Sequence, residues 1–370
     1  MRRYDLDWLR VIVFGLLIFY HVGMFFVAPD WEWHIKNNLT YEWIKYPMKF
    51  LNQWRLPILF VISGMGTSYA LAKRSGAQFA FERTKRLLVP LVFGMLVIVP
   101  PQVYIEKLSK GLIKGSYFDF WPAQAFIGKY PQGNLSWHHL WFLPYLLLFS
   151  LVLIPVFLYL RKHPGHWLLK TTASMCQSRL GLYWFVLPLY LIEAFIEPFF
   201  EVTHALVGDW FAIINYITLF FIGFLLISVK DVFWSAVEKN RSLYLKSGIV
   251  GFTLFLFITG LYEDGYVRHF IEALITVTTF WSWILALFGY ASKHLNKPSR
   301  TLAYCNQAVY PFYILHQTVT VVLGYFIKDM PWSFFCKFSL LSLGTFFISW
   351  FIYEFLIRRW KVVRPFFGLQ

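Results

Sequence analysis

Charge is scarce in this chain. Of its 370 residues, only 14% are Asp, Glu, Lys or Arg, against about 25% in a typical soluble domain. Cysteine is scarcer still. Cys176, Cys305 and Cys336 are widely spaced and odd in number, which suits neither a disulfide framework nor a metal-ligand pattern. No His-Glu-x-x-His run occurs, so a zinc hydrolase of that design is excluded and no metal is expected. Internal repeats, low-complexity tracts and long linkers are also missing. Together these absences argue against a disordered chain, a disulfide scaffold and an ordinary soluble globule.

What abounds is apolar and aromatic residues, at 58% and 22% of the chain. Long apolar runs lie at 9–28, 50–72, 87–105, 138–160, 181–199, 210–229, 246–262, 269–291, 302–327 and 334–357. At roughly 20 residues per span, they predict an all-α membrane protein of about ten transmembrane helices, forming one domain over residues 1–370. Helices are required because lipid cannot satisfy free backbone amides. Runs such as Leu146 to Leu160 lack the two-residue alternation of a membrane barrel. The first run, Val11 to Ala28, has no clear small-residue cleavage site and is expected to remain as a helix.

The net charge of +15 at first suggests nucleic acid. Its distribution argues otherwise. With the N-terminus inside, most lysines and arginines fall in inner segments, including Arg2, Arg3 and Arg10, the cluster Lys73 to Arg86, and the run Arg358 to Arg364. Membrane proteins concentrate these residues in cytoplasmic loops. Both termini are therefore expected in the cytoplasm, with membrane lipid as the surroundings and no nucleic-acid partner. The two longest loops, 29–49 and 106–137, then face outward and carry Trp31, Trp33, Tyr41, Trp43, Tyr117, Trp121 and Tyr130. These fit an interfacial aromatic belt or, alternatively, a platform for stacking sugars.

Ionisable residues within spans are costly and point to function. Arg10 and His21 are eleven residues apart, about three helical turns, so they share a face with His21 about 16 Å deeper. A cation at the inner mouth suits a phosphate-bearing donor. A histidine beyond it suits proton transfer near neutral pH. The plainer reading is an anchor and a hydrogen-bonded core histidine. Arg83 and Arg86 share a helical face and can grip a phosphate, or simply mark a cytoplasmic loop. In Phe60-Val61-Ile62-Ser63-Gly64, Gly64 and Gly66 permit close helix approach, and Ser63 can bond across helices. Arg55 nearby either snorkels or faces an outer cavity. His138 and His139 are adjacent, so they point about 100° apart and form no i, i+4 metal pair; Trp141 follows them. Tyr313 and His316 are i, i+3 neighbours that bond another helix or line a cavity. Glu193, Glu197 and Glu201, spaced along one face, and Asp209 form either a hydrated rim or a set of acceptors for sugar hydroxyls.

At these residues the sequence resembles the acyltransferase family 3 of integral membrane acyltransferases. Arg10, ten intervening residues and His21 resemble its Arg-x10-His signature. Phe60 to Gly64 is similar to its second-helix motif, and Arg83-x-x-Arg86 with Pro90 to its paired-arginine motif. Trp141-Phe142-Leu143 and Tyr313 to His316 also match in order, so the resemblance runs through nearly the whole chain. The His-Leu-Trp-Phe-Leu run and the compact length resemble its glucan-biosynthesis branch. The resemblance implies a multi-pass protein of the bacterial inner membrane. It implies acyl-CoA (acetyl-CoA or succinyl-CoA) as donor, with phosphates near Arg10, Arg83 and Arg86. The acceptor would be a hydroxyl of an envelope glycan or glycolipid, reached from the periplasmic side. His21 would be the general base, and Ser63, Tyr313 and His316 are candidates for stabilising the oxyanion. Arg55, His139, Trp141, Glu193 and Glu197 are candidates for binding the acceptor.

Two other classes compete. A polytopic transporter or exporter also places polar residues at the midplane, but no inverted repeat is visible and the arginines cluster at one mouth. A scaffold without chemistry leaves the alignment of Arg10 and His21 unexplained.

Overall fold

The computed structural model describes residues 2–261 and 265–369. Its helices are α1 (Tyr4–Phe26), α2 (Lys45–Leu71), α3 (Gly76–Phe93), α4 (Pro100–Ser109), α5 (Tyr117–Ala123), α6 (Phe142–Val152), α7 (Ile154–Lys162), α8 (Trp167–Gln177), α9 (Val186–Phe195), α10 (Trp210–Ser228), α11 (Lys230–Leu261), α12 (Tyr266–Leu295), α13 (Arg300–Ile327) and α14 (Phe334–Phe351). Among the described residues there is no strand, only isolated bridges at Val27–Tyr41 and Lys129–Leu135. The chain is an all-α membrane protein.

Seven helical stretches among the described residues are long and apolar enough to cross a membrane. An eighth is added if His138–Val152 and Ile154–Lys162, bent by 46°, form one span. The run expected as one span over 138–160 is therefore bent at a break. Pro155 at the start of α7 brings no backbone N–H to the turn before it. Two further helices account for the larger expected count. α2 and α13 are 27 and 28 residues long, but Gln53 and Arg55 in one and Asn306 and Gln317 in the other make them less apolar. The expected run 246–262 ends on a residue outside the described ones. α1 has 23 residues, about 35 Å at 1.5 Å per residue, enough to cross about 30 Å of hydrocarbon.

The helices form two compact units. The first comprises Met1–Arg10, Asn52–Arg83 and Tyr145–Ser299. Here α11 and α12 pack along each other, and α2 crosses α10 at backbone contact. A methyl at Gly64 would strike the Phe220 carbonyl, and one at Gly223 would strike the Val61 carbonyl. Nothing lies within 4 Å of such a methyl at Gly66, so only the first of the two expected glycines serves close approach. Phe157 stacks on Phe224 with ring centres 3.8 Å apart. Asp209 is fully buried. It accepts from the Tyr145 hydroxyl and from the His204 amide at 2.9 Å. It therefore ties down the loop before α10 and is not part of an open acidic rim.

The second unit comprises Val11–Leu51, Thr84–Pro144 and Arg300–Gln370. Val22, Phe25, Phe26, Met48, Val321 and Leu341 form its packed core. The last carbonyls of α1 lack helical partners. Lys36 answers part of that need, its Nζ lying 3.0 Å from the Met24 oxygen and 3.2 Å from that of Val27. α3 continues into a wider turn over Gly94–Ile98, where the Val99 amide reaches back to the Gly94 carbonyl at 2.8 Å. The Ile98 carbonyl accepts instead from the Thr318 hydroxyl at 2.6 Å. The segment expected as an outer loop over 106–137 contains α5, started by a capping box between Ser116 and Asp119.

Candidate active site

Three buried histidines meet in the second unit: His21 on α1, His316 on α13, and His139 in the short turn before α6. α1 is continuous from Tyr4 to Phe26, so the eleven-residue spacing does hold Arg10 and His21 on one helical face.

His21 Nδ1 lies 2.8 Å from His316 Nε2, with the two rings within 5° of parallel. His316 Nδ1 lies 2.7 Å from the Tyr313 carbonyl and 3.1 Å from the Phe312 carbonyl. A carbonyl only accepts. The neutral His316 ring therefore carries its proton on Nδ1 and presents a lone pair at Nε2. His21 must donate to that lone pair from Nδ1, which makes Nε2 its basic nitrogen. The backbone of α13 thus sets the tautomer of both rings.

His139 Nε2 donates to the Ile314 carbonyl at 3.0 Å. Its Nδ1 is then an acceptor, buried and without a hydrogen-bond partner among the described residues. Leaving such a group unsatisfied costs about 1–3 kcal/mol, which a ligand hydroxyl would recover. The His139 ring stands edge-on to His316 at 5.3 Å. Tyr313 donates its hydroxyl to the His139 carbonyl at 2.6 Å, so its one proton is already engaged. Trp141 is the last residue of this same turn and is buried.

Sequence reasoning missed the polar chain that continues from here. Gln317, next to His316, donates to Gln102 Oε1 and faces His34 Nε2, each at 3.0 Å. His34 Nδ1 meets Glu106 Oε2 at 2.6 Å. Trp33 lies 5.1 Å from the His21 ring and 5.0 Å from that of His34. Tyr130 donates to Glu106 Oε1 at 2.9 Å. Of the aromatics expected in outer loops, Trp33 and Tyr130 border this site, whereas Tyr41 and Trp43 pack on Phe334. A signal for Glu106 did exist: it lies one residue past the expected end of the third span, and α4 runs on to Ser109.

Arg86, also in the second unit, has an exposed side chain, and its carbonyl accepts from the Tyr310 hydroxyl at 3.2 Å. The remaining expected residues lie in the first unit. Arg10 is 3.7 Å from Asp7. Arg83 donates to Ser150 and Thr67, each at 3.1 Å. Arg55 is buried rather than reaching the surface, and Ser63 is half-buried. Glu193 is half-buried on α9 and Glu197 is exposed. α9 ends at Phe195 and a tighter turn follows at Glu197–Phe199, because Pro198 disfavours a helical residue before it. Glu193, Glu197 and Glu201 therefore do not line one continuous helix. The first unit also holds a cavity of about 470 Å³ bordered by Arg2, Arg3, Tyr4, Lys230 and Trp234. Arg3 stacks over Trp234 at 3.7 Å.

A buried histidine pair of this kind in a helical membrane protein can accept a proton and hand it on. Residues 3–354 match the acyltransferase domain of acyltransferase family 3, and the chain belongs to that family. It is a membrane acyltransferase. It is similar to glucans biosynthesis protein C of Salmonella agona and of Salmonella typhi, 24% identical to each over 343 residues, which cover 88% of this chain and 84% of the relative. The match to the same-named protein of Salmonella typhimurium has the same identity and extent.

Proposed function

We propose that this chain moves an acetyl or succinyl group from cytoplasmic acyl-CoA to a hydroxyl of an envelope glycan or glycolipid on the periplasmic side of the bacterial inner membrane. The observation that carries the proposal is the His21–His316 contact. It leaves His21 Nε2 as a lone-pair nitrogen held by a fixed partner, the arrangement of an oriented general base.

In the proposed reaction, His21 Nε2 takes the proton of the acceptor hydroxyl as its oxygen attacks the thioester carbonyl. The C–O bond forms, the C–S bond breaks, and the departing CoA sulfur receives the proton back. His316 positions His21, and Tyr313 positions His139 through its carbonyl. His139 Nδ1 accepts a hydrogen bond from the acceptor glycan. The one proton of neutral His316 is already given to the Tyr313 carbonyl, as that of Tyr313 is to the His139 carbonyl, so neither is left to donate to the oxyanion. The assignment of Arg10, Arg83 and Arg86 to donor phosphates rests on their likeness to the family's motifs and on the fit of a guanidinium group to phosphate. Arg55, Trp141, Glu193 and Glu197 are assigned to acceptor binding.

The relatives' name speaks of glucan biosynthesis, which supports a glucan-type acceptor. Family membership favours transfer over transport. The extent of the family match, taking in both units, supports one acyltransferase domain over residues 1–370. The positive-inside charge pattern supports cytoplasmic termini.

The test uses purified protein in nanodiscs with acetyl-CoA or succinyl-CoA and an extracted glycan pool. Free CoA thiol and glycan mass are followed together. Thiol release with a matching mass gain, lost in His21→Ala, is the expected result. Full activity in His21→Ala would remove the base assignment, and silence with both donors would remove acyl-CoA as donor to that pool.

A further inference from the structure

We infer that His34, Glu106 and His138 form a binding site for one divalent ion of the zinc class. The inference does not depend on the acyl-transfer reading. His34 comes from the loop after α1, Glu106 from α4 and His138 from the turn before α6. One ligand atom from each lies within 4.8 Å of the other two. Two imidazoles and one carboxylate are a donor set that zinc accepts with a fourth position open. The sequence could not show it, because the three residues share no short motif.

Two features point to an ion rather than a self-sufficient cluster. His138 Nε2 is buried and has no hydrogen-bond partner among the described residues, while Nδ1 is 3.4 Å from Ser136 Oγ. Its residue also holds a φ of 39°, in the left-handed region that side-chain-bearing residues rarely adopt. His34 Nδ1 and Glu106 Oε2 share one proton across 2.6 Å, and one ring nitrogen of His138 lies within 4.8 Å of this pair's ligand atoms. A divalent ion would replace that proton and give His138 Nε2 the partner it lacks.

The surroundings are built as an outer shell. Glu106 Oε1 accepts from the Tyr130 hydroxyl at 2.9 Å and from Lys110 Nζ at 2.6 Å, which leaves Oε2 to the site. His34 Nε2 faces the Gln317 amide at 3.0 Å. The His138 ring stands edge-on to His34 at 4.5 Å and to Tyr130 at 4.8 Å. Partners of this kind orient metal ligands. Lys110 opposes the ion's charge, but its side chain is 53% exposed, so water screens the repulsion.

The experiment uses the whole chain in nanodiscs, stripped with chelator and titrated with Zn²⁺, then with Co²⁺. One zinc per chain should survive desalting, and Co²⁺ should give the visible absorption of a four-coordinate site. His138→Ala should weaken zinc binding at least about 100-fold, and Tyr130→Phe, which touches only the outer shell, about tenfold. Glu106→Gln should also lose zinc, whereas His294→Ala near the end of α12 should keep it. Size exclusion and helical circular dichroism check folding. If folded wild-type chain retains no zinc, or His138→Ala holds it as tightly, the inference fails and the cluster is only a hydrogen-bonded pair. If His138→Ala does not fold, unchanged affinity in both Glu106→Gln and Tyr130→Phe overturns it.

Discussion

His316 Nε2 sits 2.8 Å from His21 Nδ1, while His316 Nδ1 faces the Tyr313 carbonyl at 2.7 Å. A main-chain carbonyl thereby orients one imidazole, and that imidazole orients a second. In the proposed reaction this makes a base and its orienter, with the proton position fixed by an acceptor that cannot donate.

The first prediction concerns that orientation. His316→Ala should lower turnover by roughly 10²-fold, within the usual range for general-base catalysis, with donor KM nearly unchanged. His316→Gln, whose side-chain oxygen can accept from His21 Nδ1, should recover part of the loss. Turnover by CoA release across about pH 5 to 8, the range in which a histidine titrates, checks this. Equal losses in Ala and Gln, with no change in the pH profile, would make His316 a packing residue.

The second concerns the donor. Arg10→Ala should raise KM for acyl-CoA about tenfold, with a smaller effect on kcat, and Arg10→Lys should fall between, because a lysine keeps the charge but not the planar fork. Initial rates against acyl-CoA concentration decide it. An unchanged KM would count against a donor role.

The third concerns packing in the first unit. Gly64→Ala places a methyl against the Phe220 carbonyl, whereas Gly66→Ala meets nothing within 4 Å. The first should destabilise by about 1–3 kcal/mol, the cost of overpacking. The second should be neutral or slightly stabilising, since alanine favours helix over glycine. Thermal melts in detergent compare the two. Equal melting would contradict the backbone contact between α2 and α10.

The fourth concerns acid. Burial pulls the His204 imidazole down from its ordinary 6.5 to about 4, against the opposing influence of the Asp209 carboxylate. Between those values the unfolded chain binds a proton that the folded chain refuses. The stability this group supports is present above 6.5 and is lost as pH falls from 6.5 towards 4. Proteolysis of the segment 201–209 should therefore quicken on acidification, and His204→Asn should flatten that dependence. An equally steep dependence in the variant would assign the acid sensitivity elsewhere.

Much of the fold was legible because its cause is local. An apolar run long enough for the bilayer must be helical in lipid, whatever surrounds it. The 3.6-residue period puts Arg10 and His21 on one face of a helix from their spacing alone. Local rules also failed at identifiable places. The acidic residues 193 to 209 read as one set, a rim or a row of sugar acceptors, but Pro198 ends the helical register and Asp209 turns inward to accept from backbone amides. Gly64 and Gly66 looked equivalent, and only the neighbouring backbone of α10 separates them.

By itself, the sequence determined the helical membrane class, which follows from composition, and the shared face of Arg10 and His21, which follows from spacing along one helix; the family resemblance rests on the motifs themselves. Tertiary structure alone decided which groups His21 and Glu106 meet. His21 and His316 are 295 positions apart, and His34 and Glu106 are 72 apart. Contacts across such separations depend on how helices pack and on which lone pairs face which protons, and no period along the chain encodes that.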